Sequence, residues 1–209
     1  MSDGSLLAMI DGDRGKNYPK KSDFLDDGHC LFLSTKNVRP DGFLFDEVMF
    51  IDEHRDNLLR KGKLQRNDVV ITTRGTIGNL ALYDGSVDYE NVRINSGMLI
   101  LRPNTKALQP SYLFEIMRSG IVRRQIEEKV SGAAQPQLPV KTLSSFVFPV
   151  PNDLEVQMSV VYKIQSIEGK INELVELYSY KLRQLEELKK SLLQKAFSGE
   201  LTNSSAEAA

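Results

Sequence analysis

Apolar positions obey two different rules along this chain, and the rule changes near Pro149 and Pro151. Before that point, short apolar runs lie between Gly, Asn, Asp or Pro residues. The runs at 30–34 (CLFLS), 68–73 (DVVITT), 79–84 (NLALYD), 97–103 (GMLILRP) and 145–150 (SFVFPV) are rich in β-branched and aromatic residues and predict strands. At 52–60, 111–119 and 121–129 the apolar spacing shifts to three and four, which predicts helices. A mixed α+β domain follows, with no internal repeat of solenoid length.

After the break one pattern holds to the end. Ile164, Ile167, Ile171, Leu174, Tyr178, Leu182, Leu185, Leu188 and Leu192 recur at intervals of three or four, with Lys, Arg and Glu in most positions between them. A helix from about Leu154 to about Phe197, capped by Asp153 and stopped near Gly199, would run roughly 65 Å at 1.5 Å per residue. Gly169 weakens it by about 1 kcal/mol relative to alanine. A globular domain of about 150 residues cannot cover so long and narrow a stripe, so we expect the seam of a coiled coil or bundle. A second copy or another protein would supply the missing face; the alternative folds the helix back along its own domain. The expected organisation is a globular domain at 1–152, a long helix at 153–199, and a disordered polar tail at 200–209.

Composition narrows the function classes. The 209 residues are 41% hydrophobic, enough for a real core. Cys30 is the single cysteine and His29 and His54 are the only histidines, which excludes an internal disulfide and any zinc-ligand spacing. A reducing cytoplasm fits, and the apolar run near the N-terminus is too short for a signal peptide or membrane span. Net charge is −1, from 27 Lys+Arg against 28 Asp+Glu, but it is unevenly distributed. Arg55, Arg60, Lys61, Lys63, Arg66 and Arg74 face only Asp56 and Asp68 over that stretch, whereas the acids Asp41, Asp46, Glu47, Asp52 and Glu53 follow one another with no base among them. Such segregation can put a cationic face on a neutral protein.

Catalytic motifs are thin. The chain has no phosphate-binding Gly-rich loop, no dinucleotide fingerprint, no nucleophile elbow and no His-Glu-x-x-His. Pro40–Asp41 with Glu127–Lys129 matches the letters of a metal-dependent nuclease site, with Asp41 and Glu127 as carboxylates, but Glu-x-Lys is common on charged helices. His29 and Cys30 make a poor nucleophile pair because adjacent strand residues point to opposite faces.

Binding chemistry is better represented. Residues 60–84 place Arg60, Lys61, Lys63 and Arg66 before a strand, followed by a tight turn with Thr72, Thr73, Arg74, Gly75, Thr76 and Gly78. Hydroxyls and backbone amides contact phosphates, and an arginine can fork onto guanine O6 and N7. The competing reading is a hairpin turn whose glycines only satisfy backbone dihedrals. A second basic stretch, Arg118, Arg123 and Arg124, precedes Ser131, Gln135 and Gln137; glutamines can read adenine edges, although a plain helix-to-strand loop has the same composition. Lys16, Tyr18, Lys20 and Lys21 add a third patch, and Lys36 and Arg39 complete the candidate DNA contacts.

Residues 182–201 (LRQLEELKKSLLQKAFSGEL) and 149–164 (PVPNDLEVQMSVVYKI) resemble the closing motif and the strand-to-helix junction of the DNA-specificity subunit of type I restriction-modification systems. Residues 12–38 and 62–84 are similar to one class of that family's target-recognition domains. The resemblance implies that the globular part reads half of a split duplex DNA sequence and that the helix is a spacer which docks a modification (methyltransferase) subunit. A restriction subunit completes the assembly. S-adenosylmethionine, ATP and Mg belong to those partners, and this chain would carry no cofactor and no catalysis. Family members usually hold two recognition domains and two helices, whereas this chain has one of each, lacks Trp, and has Leu-Glu-Val-Gln at 154–157 in place of a Glu-Gln pair. A half-length subunit is expected to pair as an antiparallel homodimer on a palindromic split site. An assembly scaffold that never touches DNA is the alternative.

Overall fold

In the computed structural model, which describes residues 6–130 and 137–199, the chain runs through β1 (Leu7–Asp11), β2 (Cys30–Leu33), β3 (Val38–Arg39), β4 (Gly42–Phe43), β5 (Phe50–Ile51), α1 (Glu53–Leu58), β6 (Asp68–Thr72), β7 (Leu80–Tyr83), β8 (Val92–Ile94), β9 (Met98–Pro103), α2 (Pro110–Arg118), α3 (Gly120–Val130), α4 (Val140–Leu143) and α5 (Leu154–Phe197). An antiparallel sheet has the order β1-β9-β6-β7, a second sheet the order β5-β2-β8, and β3 pairs with β4. The α+β class and the long helix follow the expectation from sequence.

The runs in β6 and β9 are continuously apolar because both of their faces are covered. Val69, Ile71, Leu99 and Leu101 pack with Tyr112, Leu113 and Met117 of α2 and Val122 of α3. The alternate residues Val70, Met98 and Ile100 face Leu31 and Leu33 of β2 and Val92 and Ile94 of β8. A strand buried on both faces loses the in-out alternation that marks a half-exposed one. On the far side of β2, Cys30 and Phe32 join Ile51 and Leu59, with Tyr18 edge-on and Phe24 tilted against the Phe32 ring.

The stretch 145–150, expected as a strand, pairs with no strand among the described residues. Phe146 is buried, but the backbone of Val147 is satisfied by a side chain: its N–H donates to Gln125 Oε1 at 2.9 Å, and Gln125 Nε2 donates to its carbonyl at 2.8 Å. Pro149 and Pro151, which cannot donate, keep the following residues out of a ladder. Conversely β1 pairs with β9 over five residues although its sequence carries only a short apolar run.

The chain divides into two compact units, one ending at Val161 and the other starting at Tyr162. The first two turns of α5 therefore belong with the sheets. Gln157 is fully buried there; its Oε1 accepts from Gln109 N–H at 2.8 Å, and its Nε2 donates to the carbonyls of Ala107 (3.0 Å) and Pro151 (2.7 Å). In the second unit the stripe residues Ile167, Ile171, Leu174, Tyr178, Leu182, Leu185, Leu188 and Leu192 are all exposed, and Ile164 is half-buried. No described helix is long and apolar enough to cross a membrane.

Candidate nucleic-acid interface

Strand direction brings several loops to one end of the two sheets. β1, β2, β6 and β8 all finish there and β7 and β9 both start there, as the registers Asp11↔Leu99, Thr72↔Met98, Ile71↔Leu80 and Leu33↔Ile94 require. The loops at 12–15, 34–37, 73–79 and 95–97 are knitted into one rim. Asn95 N–H donates to Leu33 O (3.1 Å), Thr73 N–H to Gly97 O (2.8 Å), and Asn79 Nδ2 to Val38 O (2.9 Å). The segment after the second basic stretch joins them, since Leu138 N–H donates to Thr73 O at 3.0 Å and Gln137 sits opposite Arg74.

One close approach and one tight turn depend on glycine. A Cβ on Gly12 would stand 2.2 Å from the Asn95 carbonyl oxygen, so only glycine lets the 12–15 loop pass against 95–96. Gly75, with φ near 71°, turns the tip of the 73–79 loop through the left-handed region. Asp13 then staples a further segment: its Oδ1 accepts from Gly15 N–H (2.6 Å) and its Oδ2 from Arg60 N–H (2.8 Å). Burial pushes the Asp13 carboxyl up, but these backbone hydrogen bonds outweigh it and hold the pKa below the ordinary carboxylate range.

The candidate contacts separate into two classes. Lys16, Lys61 and Arg74 have exposed side chains that form no ion pair among the described residues, and Thr76 and Gln137 are exposed beside them. Arg39, Lys20 and Lys21 are also exposed, the last two beside the turn that leads to Phe24. Lys36 holds Glu47 at 3.0 Å on the surface. Gln135 lies outside the described residues.

Three other candidates are engaged by the protein's own groups, Lys63 and Arg66 from exposed positions and Thr73 from a buried one. Lys63 Nζ donates to Asp56 Oδ2 at 2.6 Å. Arg66 lies over the Tyr83 ring and donates to the carbonyls of Asp84 (2.6 Å), Val87 (2.8 Å) and Tyr89 (3.3 Å), so it fastens the loop after β7. Thr73 is buried and its hydroxyl donates to Gly97 O at 3.0 Å, supporting the rim from within. Asp56 is the centre of a compact charge cluster, with Arg93 and Lys63 donating to its carboxylate and His29 Nε2 3.5 Å away. Burial drives its pKa up, while the hydrogen bonds from Lys63 and Arg93 reverse the effect and hold the net value low.

The residues considered for catalysis fare differently. Asp41 and Glu127 do line one cleft of about 390 Å³, together with Arg118 and Arg123. Among the described residues, however, no group of three or more His, Cys, Asp or Glu could hold a metal ion. Cys30 is fully buried, and burial together with the Asp56 charge pushes its thiol up to about 12, which removes it as a nucleophile at neutral pH. Sequence reasoning passed over Arg14: its Nη2 donates to Asp11 Oδ1 (3.1 Å) and to Ser96 O (3.2 Å) on the same rim.

Comparison with known proteins adds the family. A family model for the type I restriction modification DNA specificity domain matches residues 7–177. The chain is similar to the EcoBI type I restriction enzyme specificity subunit of Escherichia coli, with 24% identity over 152 residues that cover 73% of this chain and 31% of that protein. It is also similar to the HindI specificity subunit of Haemophilus influenzae, with 24% identity over 203 residues covering 94% and 41%. Its fold matches the HsdS subunit from Thermoanaerobacter tengcongensis, at 21% identity and a TM-score of 0.61 over 93% of this chain and 43% of that one. A chain from a solved type I R-M system gives 19% identity and a TM-score of 0.69 over 93% and 44%. The chain thus spans less than half the length of each of these relatives.

Proposed function

The chain belongs to the type I restriction modification DNA specificity domain family, and from that premise we propose that it is a non-catalytic recognition subunit that reads one half of a bipartite duplex target. The observation that carries this reading is the gathering of the rim loops at one end of both sheets, with Lys16, Lys61 and Arg74 exposed and unpaired among the described residues. Lys16 and Lys61 contact phosphates, Thr76 adds a hydroxyl, and Arg74 and Gln137 reach base edges; Lys20, Lys21, Lys36, Arg39 and Gln135 extend the cationic and polar approach. The chain binds no cofactor of its own. S-adenosylmethionine, ATP and Mg are used by the modification and restriction subunits that it positions in the cytoplasm.

The exposed stripe of α5 pairs with that of a second copy, antiparallel, so that two recognition units face an inverted repeat with an unread spacer. Two measurements test the reading. Fluorescence anisotropy on duplex DNA at several salt concentrations is expected to give a log–log slope of about −0.9 for each phosphate neutralised. Binding without salt dependence, or none in the presence of a modification subunit, returns the chain to the scaffold alternative. Light scattering on the full chain is expected to give a dimer, and Leu182→Asp with Leu188→Asp to give a monomer. A monomeric parent at high micromolar concentration assigns the stripe to another protein.

A further inference from the structure

We propose that Asp11 and Arg14 act together as a specificity-determining pair that selects a G·C base pair; the inference rests on the DNA-recognition reading above and concerns which chemistry the rim recognises. The pair frames a small concavity of about 160 Å³ whose opposite side is formed by Arg74 and Gln137, over a floor that includes Leu99 and Leu138. Asp11 ends β1 and Arg14 sits in the loop that Gly12 and Asp13 hold against 95–96 and 60–62, so both side chains start from a fixed backbone.

Three observations separate this pair from the neighbouring cations. First, a carboxylate stands on the surface beside the guanidinium, and a phosphate brought to Arg14 would also meet Asp11. Like charges at that distance repel, so the pair is unsuited to the DNA backbone, whereas Lys16, Lys61 and Arg74 carry no such counter-charge among the described residues. Second, both contacts of Arg14 use Nη2, which leaves Nη1 and Nε without a partner among the described residues. Third, the two side chains offer complementary chemistry. A forked guanidinium donates to guanine O6 and N7, and a carboxylate accepts from the cytosine N4 amine, so one donor and one acceptor group face the two halves of the same base pair. The Ser96 carbonyl and Asp11 together hold the guanidinium before DNA arrives, which lowers the ordering cost of the contact.

The test is selection from a randomised duplex pool with the full chain, compared with Arg14→Lys, Asp11→Asn and the control Lys16→Ala, each also titrated with salt. The parent is expected to enrich a motif with at least one G·C position favoured by about five- to hundred-fold. Arg14→Lys keeps the charge but loses the fork, so it should lose that preference while its salt slope and thermal midpoint stay those of the parent. Asp11→Asn should relax the same position. Lys16→Ala should weaken binding to all sequences alike. If Arg14→Lys and Asp11→Asn enrich the parental motif unchanged, the pair only fastens the loop and the assignment is overturned. A parent that enriches no motif overturns the recognition reading itself and the pair with it.

Discussion

Two groups of cations drawn from one stretch of sequence, all of them exposed, differ in whether the protein itself supplies their partners. Lys63 and Arg66 lie within the protein's own hydrogen-bond network, the first on the carboxylate of Asp56 and the second on the loop after β7. Lys61 and Arg74, a few residues away on either side, have exposed side chains and no ion pair among the described residues. A run of basic residues therefore indicates a binding surface only after its internal carboxylates and carbonyls have been assigned. Asp56 makes the difference here, because one fully buried carboxylate holds Arg93 and Lys63 and stands beside His29.

Removing that centre should have the largest effect. Arg93 fastens α1 to the second sheet, donating to Asp56 Oδ1 and to the carbonyls of Asp56 (2.8 Å), Leu59 (3.2 Å) and Lys61 (2.8 Å). Asp56→Asn leaves those cations without their counter-charge, and Arg93→Ala leaves a buried carboxylate with one partner fewer. Either should cost about 3–5 kcal/mol in urea unfolding. The same cluster gives a pH dependence. The folded pKa values of Asp56 and Asp13 lie below those of the unfolded chain, so both carboxylates contribute stability above pH ~4, and it is lost as pH falls through the lower folded values. Asp56→Asn should flatten the fall in unfolding free energy below that pH; an acid limb as steep as the parent's would remove Asp56 from the account.

Next in size is Gly12→Ala, which acts on the foundation of the rim. A Cβ 2.2 Å from a backbone carbonyl oxygen cannot be accommodated by a side-chain movement. The loop must shift, at roughly 3 kcal/mol, and Arg14 should lose its contact with Ser96. Both unfolding and DNA affinity are expected to fall, which distinguishes this substitution from those at Asp56, whose folded fraction should still bind.

How much of this was legible beforehand varies by element, for physical reasons. The periodicity of 164–192 identifies α5 because its apolar residues fall on one face of the helix and the stripe is unbroken. β2, β6, β7 and β9 are legible to within a residue or two because strands covered on both faces are dense in apolar and β-branched residues. β8 escaped because Arg93 interrupts its three residues, and that arginine is buried only because Asp56 meets it from α1. The stretch 145–150 looked like a strand because its alternation reflects one buried Phe146, while the Gln125 side chain supplies its ladder bonds. The rim was half legible. The Thr-Arg-Gly-Thr turn is marked by its composition, whereas Arg14 belongs to the rim only through the register of β1 with β9 and the passage at Gly12, neither of which leaves a local pattern.

Arg74→Ala tests the free class at a more modest level. Its side chain is exposed, so the unfolding midpoint should stay that of the parent, while affinity for duplex DNA falls about ten-fold, or 1.4 kcal/mol. Lost stability with unchanged affinity would move Arg74 into the class of Lys63 and leave Gln137, its bridge partner, as the polar group on that side of the rim.

The smallest effects make the sharpest comparison, because Lys61 and Lys63 are separated by a single glycine. Lys63 is part-exposed and its carboxylate keeps Arg93 as a partner, so Lys63→Ala should cost only about 1 kcal/mol of stability and leave the salt slope of binding unchanged. Lys61→Ala should do the reverse, leaving stability alone and lowering the slope by about 0.9, the contribution of one phosphate contact. Gly62 adopts φ near 84° and places these neighbours in their different surroundings while it packs against Gly12 and Ile94. If the two variants behave alike in both measurements, the division between structural and free cations fails at the point where the backbone draws it most finely.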